Sequence, residues 1–154
     1  MTGASGEKAS ECVFCDAAVQ TRDELVLLRG RLAYVILNPY PYNNGHLMVV
    51  PKRHVASLAA LTDSEAGEMM RLTQDAERAL GEAYQPQGIN VGVNLGRAAG
   101  AGIIHHVHIH LVPRWNGDTN FMSVIGEVRV LPEDLTATAA RLRPLFEQLA
   151  AARE

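Results

Sequence analysis

His106-Val107-His108-Ile109-His110-Leu111-Val112 alternates imidazoles with aliphatic side chains. Successive side chains of a strand point to opposite faces, so His106, His108 and His110 share one face while Val107, Ile109 and Leu111 fill the other. Three polar rings in a row are costly as core packing and need a chemical use. Two uses fit. The imidazoles can be metal ligands, or one can act as a nucleophile while its neighbours orient it and meet charge. His105 falls on the apolar face and is expected to pack rather than react.

Outward from this strand, the preceding loop Gly96-Arg97-Ala98-Ala99-Gly100-Ala101-Gly102 is too small-sided to build a core. Such a loop can present backbone N–H groups to an anion, although it lacks the spacing of a P-loop. Upstream again, Ile89–Leu95 alternates as a strand. Thr62-Asp63-Ser64-Glu65 is a capping box opening a helix with apolar positions at Met69, Leu72, Ala76, Leu80 and Ala83. Leu25–Leu28 and Leu32–Leu37 flank Arg29-Gly30-Arg31 as a hairpin, and Leu47–Val50 follows a loop rich in Pro, Tyr and Asn. Beyond Pro132, Leu135, Ala139, Leu142, Phe146 and Leu149 mark a terminal helix, expected to kink or restart at Pro144. Strands in succession with two segregated main helices predict an α+β fold on a mainly antiparallel sheet.

The 154 residues suit one domain, taken as 11–154 behind a disordered 1–10. A net charge of −3 argues against a broad nucleic-acid or anionic-membrane surface. No apolar run has membrane-spanning length and the first residues lack a signal-peptide layout, so a cytoplasmic protein is expected. Cys12 and Cys15 form a C-x-x-C pair, which in a reducing compartment suggests metal or redox use.

Taken together, His106–Val112, Cys12-x-x-Cys15, Asn38, Gly45-His46-Leu47-Met48-Val49-Val50-Pro51-Lys52 and Pro113-Arg114 resemble the histidine-triad family over about residues 12 to 135. That resemblance implies a five-stranded antiparallel sheet paired in a dimer or higher homo-oligomer, and action on nucleotide phosphoanhydrides. His108 resembles the nucleophile that forms a covalent nucleotidyl intermediate. His110 would contact the phosphate or leaving group, with His46 orienting the row. Asn38 resembles the ribose-binding residue, Asn94 with Gly100 and Gly102 would border the phosphates, and Phe14 and Leu37 would wall the base. The resemblance also implies a structural zinc on Cys12, Cys15, His54 and His106.

Asn38–His46 and Pro113–Phe121 are similar to a bacterial branch that includes diadenosine tetraphosphate phosphorylases, which use inorganic phosphate. Arg114 and Trp115 are placed either to reach the distal part of a long substrate or, for Trp115, to pack. Many hydrolytic members carry Gln then Ser or Thr just before the first histidine. Gly102 and Ile103 stand there in this chain. Three outcomes remain open at this stage: a phosphorylase, a hydrolase of dinucleoside polyphosphates or nucleoside phosphoramidates, and a zinc-stabilised nucleotide-binding module without turnover. Covalent labelling, zinc alone or reversible binding would separate them.

Overall fold

Thr62 caps the longest helix as the sequence predicts. Its side chain accepts from the Glu65 N–H at 3.1 Å, and Glu65 returns the bond to the Thr62 N–H at 2.9 Å. The helix, α2, runs Asp63–Tyr84 and ends on Gln85 in the left-handed region at φ 48°. A computed structural model describes residues 9–20, 23–118 and 133–154 of the chain. The disordered start expected over 1–10 falls mostly outside these residues, and Ala9–Glu11 within them forms a 3-10 turn.

Five strands, β1 (Val26–Arg29), β2 (Ala33–Leu37), β3 (Leu47–Pro51), β4 (Gly88–Gly92) and β5 (Ile109–Arg114), form one antiparallel sheet in the order β1-β2-β3-β5-β4. On one face, α2 and the terminal helix α3 (Leu135–Ala151) bury Leu27, Val35, Leu37, Leu47, Val49, Ile109 and Leu111 with Met69, Leu80, Leu142 and Phe146. The other face collects Tyr34, Ile36, Met48 and Val50 beneath a short helix, α1 (Val13–Val19), which contributes Phe14 and Ala17. The register opposes Met48 to His110 and Leu47 to Leu111, so the imidazoles sit on the α1 face.

Four expectations change. β5 begins at Ile109, not His106, because its ladder with β3 opens at the Ile109–Val49 pair and the residues before it have left that ladder. Instead, the Val107 N–H donates to the Val55 carbonyl at 2.7 Å. β4 stops at Gly92 rather than Leu95. A third helix, α1, joins the two main ones. Finally, α3 does not restart at Pro144 but continues through it as one helix. Pro144 and Ala140, whose carbonyl loses its intrahelical donor, are both exposed, so water can satisfy what the proline removes.

α1 is short, and its place depends on anchors from the sheet. The buried Tyr34 hydroxyl donates to the Phe14 carbonyl at 2.6 Å. Arg29 donates to the carbonyls of Ala17 at 2.7 Å, of Ala18 and of Gln20, satisfying the open end of the helix. These bonds hold Cys12 and Cys15 beside the histidine row.

Candidate active site and metal cluster

Cys12, Cys15, His54 and His106 come together with their ligand atoms all within 4.8 Å of one another. Cys12 Sγ lies 3.4 Å from His106 Nδ1, and Cys15 Sγ lies 3.3 Å from His54 Nδ1 and 3.6 Å from His106 Nδ1. Two potential thiolates and two imidazoles suit a closed tetrahedral metal centre. The wider surroundings fit as well. His106 donates from Nε2 to the Pro51 carbonyl at 2.7 Å, which leaves Nδ1 with its lone pair aimed at the sulfurs. Burial also lowers the His106 pKa, favouring the neutral form that a metal requires. Next to His54, Arg53 donates twice to Glu65, at 2.8 and 3.1 Å, and so ties this turn to the first turn of α2.

His108 is oriented by the residue that also belongs to this cluster. Its Nδ1–H donates to the His106 carbonyl at 2.9 Å. With that proton placed, Nε2 carries the lone pair, and it has no hydrogen-bond partner among the described residues. The ring is 5% exposed and is flanked by Phe14, with centroids 4.9 Å apart, and by His110 at 4.7 Å. Burial lowers its pKa, so the imidazole is neutral and nucleophilic near pH 7.

A second tautomer chain runs alongside. The Tyr42 N–H donates to His46 Nδ1 at 3.0 Å, which puts the His46 proton on Nε2. His46 Nε2 lies 2.9 Å from His110 Nδ1, so His110 accepts there and carries its own proton on Nε2. Burial and the neighbouring rings of His110 and His108 bring the His46 pKa down to about 4. The row therefore presents a lone pair on His108 beside an N–H on His110. Such a pair can attack an electrophilic phosphorus and donate to an oxygen on it.

Of the other residues expected at the site, Asn38 stands 3.5 Å from His46 Nε2, its Oδ1 already accepting the Tyr40 N–H at 2.9 Å. Asn94 lines a depression with His46 and His110. Phe14 forms a floor beneath His106 and His108. Leu37 does not reach the site: it is fully buried in the core under α2, because odd-numbered residues of β2 face the helices. The small-residue loop is also less open than expected. The N–H groups of Ala99, Gly100 and Ala101 close a 3-10 turn onto Gly96 and Arg97, whereas Gly102 donates to no backbone carbonyl among the described residues. Trp115 packs edge-on against Tyr84, with centroids 6.5 Å apart. His105 is half-buried. The structure adds three participants that the sequence reading missed, namely the Pro51 and His106 carbonyls and the Tyr42 N–H. Every residue owns such groups, so side-chain identity carries no signal for them.

Comparison with known proteins identifies the family. Residues 20–117 match the HIT domain family. Over 121 residues the chain is 51% identical to the AP-4-A phosphorylase of Mycobacterium tuberculosis; the match covers 77% of this chain but spans only 62% of that relative's length. It is 28% identical over 126 residues to the adenosine 5'-monophosphoramidase of Schizosaccharomyces pombe, covering 82% of this chain and 91% of that protein. Among solved structures, a zinc-bound histidine triad family protein from Mycobacterium smegmatis superposes with a TM-score of 0.75 at 27% identity, covering 94% of this chain and 99% of that one.

Proposed function

The chain belongs to the histidine-triad family, and from that premise we propose that it cleaves a dinucleoside polyphosphate, diadenosine tetraphosphate, through a covalent nucleotidyl-His108 intermediate. The observation that carries this reading is the proton held between His108 Nδ1 and the His106 carbonyl, which commits Nε2 to the role of nucleophile. Nε2 attacks the α-phosphorus, an N–P bond forms, and the bond to the bridging oxygen breaks. His110, with its proton on Nε2, donates to the phosphate oxygens or the departing bridge, and His46 holds it in that tautomer. Asn38 and Asn94 meet the ribose and phosphates, and the Gly102 amide adds a donor. In the second half, an acceptor oxygen attacks the same phosphorus, the N–P bond breaks, and His108 is regenerated.

The acceptor is inorganic phosphate in this proposal, which the 51% identity to a named AP-4-A phosphorylase supports. Zinc is the ion proposed for Cys12, Cys15, His54 and His106. When bound it would cross-link α1 to the segment bearing His106 and take no part in the reaction. None of the described helices is long and apolar enough to cross a membrane. A Cys-x-x-Cys pair gathered with two histidines as a metal-ligand set suits a reducing compartment, the cytoplasm. Among the described residues no strand pairs with the outer edge of β4, and Val91 is 53% and Leu95 46% exposed, which favours a second copy of the chain pairing there.

Diadenosine tetraphosphate supplied with and without phosphate tests the proposal. ATP plus ADP formed only with phosphate is the expected result. AMP plus ATP at a rate indifferent to phosphate would make the enzyme a hydrolase. His108→Ala should lower turnover by roughly 10⁴-fold or more, as removal of a covalent nucleophile does elsewhere, and adenylate should no longer be trapped on the protein. Intact turnover in the folded variant would overturn the mechanism.

A further inference from the structure

A trough leads away from the histidines along the α1 face of β4 and β5. It has a volume of about 340 Å³, within the range of small-ligand sites. His110, Val112 and Arg114 are alternate residues of β5 and share this face, so the trough extends about 14 Å beyond His110 at the rise of an extended strand. Asn90 and Asn94 border it on the β4 side, and Tyr42 closes the far end. A small leaving group would end near His110. Only a leaving group drawn out by a polyphosphate would occupy the far end.

The construction of that far end indicates what it receives. Arg114 is held in place, donating from Nε and Nη2 to Asp118 at 2.8 and 2.9 Å and from Nη1 to Asn90 at 3.0 Å. Asp118 offsets its charge, so the guanidinium serves as a fixed plate more than as an anion trap. It lies over one face of the Tyr42 ring, 5.2 Å from the centroid. Tyr42 remains 59% exposed, yet its loop is braced by its own N–H on His46 and by Asn43, which donates to the Pro113 carbonyl at 2.9 Å and to Asp118 at 2.8 Å. A rigidly mounted aromatic ring with an open surface, flanked by exposed amides and the apolar Val112, is a stacking platform for an uncharged planar heterocycle.

We propose that this trough is the subsite for the distal nucleoside of the substrate, whose base stacks on Tyr42. The inference rests on the reading that a nucleotidyl group is transferred to His108, and it specifies what departs. Pairing of two copies through the β4 edge would extend the sheet in its own plane and leave this face open.

The test compares diadenosine tetraphosphate with adenosine 5'-tetraphosphate, which has the polyphosphate but lacks the second nucleoside. Equilibrium binding is measured on the His108→Asn protein, where turnover cannot interfere, and KM on the enzyme with His108 intact provides an independent reading. The dinucleotide should bind about tenfold more tightly, as one stacked base provides. Tyr42→Ala should erase that preference by weakening the dinucleotide, and Tyr42→Phe should keep it, since the ring and not the hydroxyl is used. Equal affinities with Tyr42 present, or equal weakening of both ligands by Tyr42→Ala, would overturn the subsite. A native enzyme that binds with this preference but turns over neither compound would overturn the proposed function and leave the subsite standing.

Discussion

His46 shows how a single residue's environment sets chemistry at this site. Its ring is buried, accepts the Tyr42 N–H and faces His110, and its pKa falls to about 4 from an unfolded value near 6.5. Between those values the unfolded chain takes up a proton that the folded chain refuses. The stability His46 contributes is therefore fully present above about pH 6.5 and is lost as the pH falls towards 4. Urea denaturation at pH 7.5 and pH 4.5 should differ by about 2–3 kcal/mol through this residue alone, and His46→Asn should flatten the dependence by that amount. An unchanged pH dependence in the variant would refute the assignment. The alternating row made His108 and His110 legible as candidate site residues, and the family resemblance added His46. Neither could say which nitrogen of each carries the proton, because the groups that decide are a carbonyl and an amide.

At the scale of elements, the approach to β3 depends on Gly45. Its φ is +83°, and a Cβ there would meet Tyr84 at 3.0 Å, Leu80 at 3.1 Å and Pro113 at 3.2 Å. Gly45→Ala should cost about 2–3 kcal/mol from backbone strain and crowding, and should also lower activity because His46 is the next residue. Thermal unfolding and a turnover assay check both effects; wild-type behaviour in each would show that the loop relaxes freely. The capping box of α2 and the alternation in β5 were readable from local pattern, since each depends on covalent geometry within a few residues. The first residue of β5 was not, because a ladder starts where two strands meet in register, and here β5 joins β3 only at the Ile109–Val49 pair. α3 continues through Pro144 on its exposed side, where Ala140 lies and water can replace the lost donor.

Across the whole molecule, two predictions concern what joins its parts. The native protein should contain one zinc per chain. A Cys12→Ser, Cys15→Ser double variant, or chelation, should remove it and lower the melting temperature by about 10 °C, since metal binding to this cluster adds directly to folding free energy. Metal analysis and calorimetry decide this, and metal-free native protein with an unaltered transition would count against it. At the sheet edge, Val91→Lys puts a charge on β4, where a second copy is proposed to pair. Sedimentation should report dissociation to monomers with the far-ultraviolet circular dichroism preserved; an unchanged assembly state would move the interface elsewhere.

By itself the sequence determined which chemistry was available and on which side of a strand it would lie. The alternation of His106, His108 and His110 with aliphatic residues encodes the face through backbone geometry, and the capping and turn residues mark the main elements. Only the tertiary structure decided what those residues meet. Cys12 reaches His106 across 94 residues, and His46 reaches His110 across 64. The same folding sends Leu37 to the helix core, closes the Gly96–Ala101 turn on its own amides, and sets Tyr42 beside Arg114 at the end of the trough. Local periodicity fixes the direction of a side chain, whereas contacts between distant segments follow from the packing of the entire sheet and its helices.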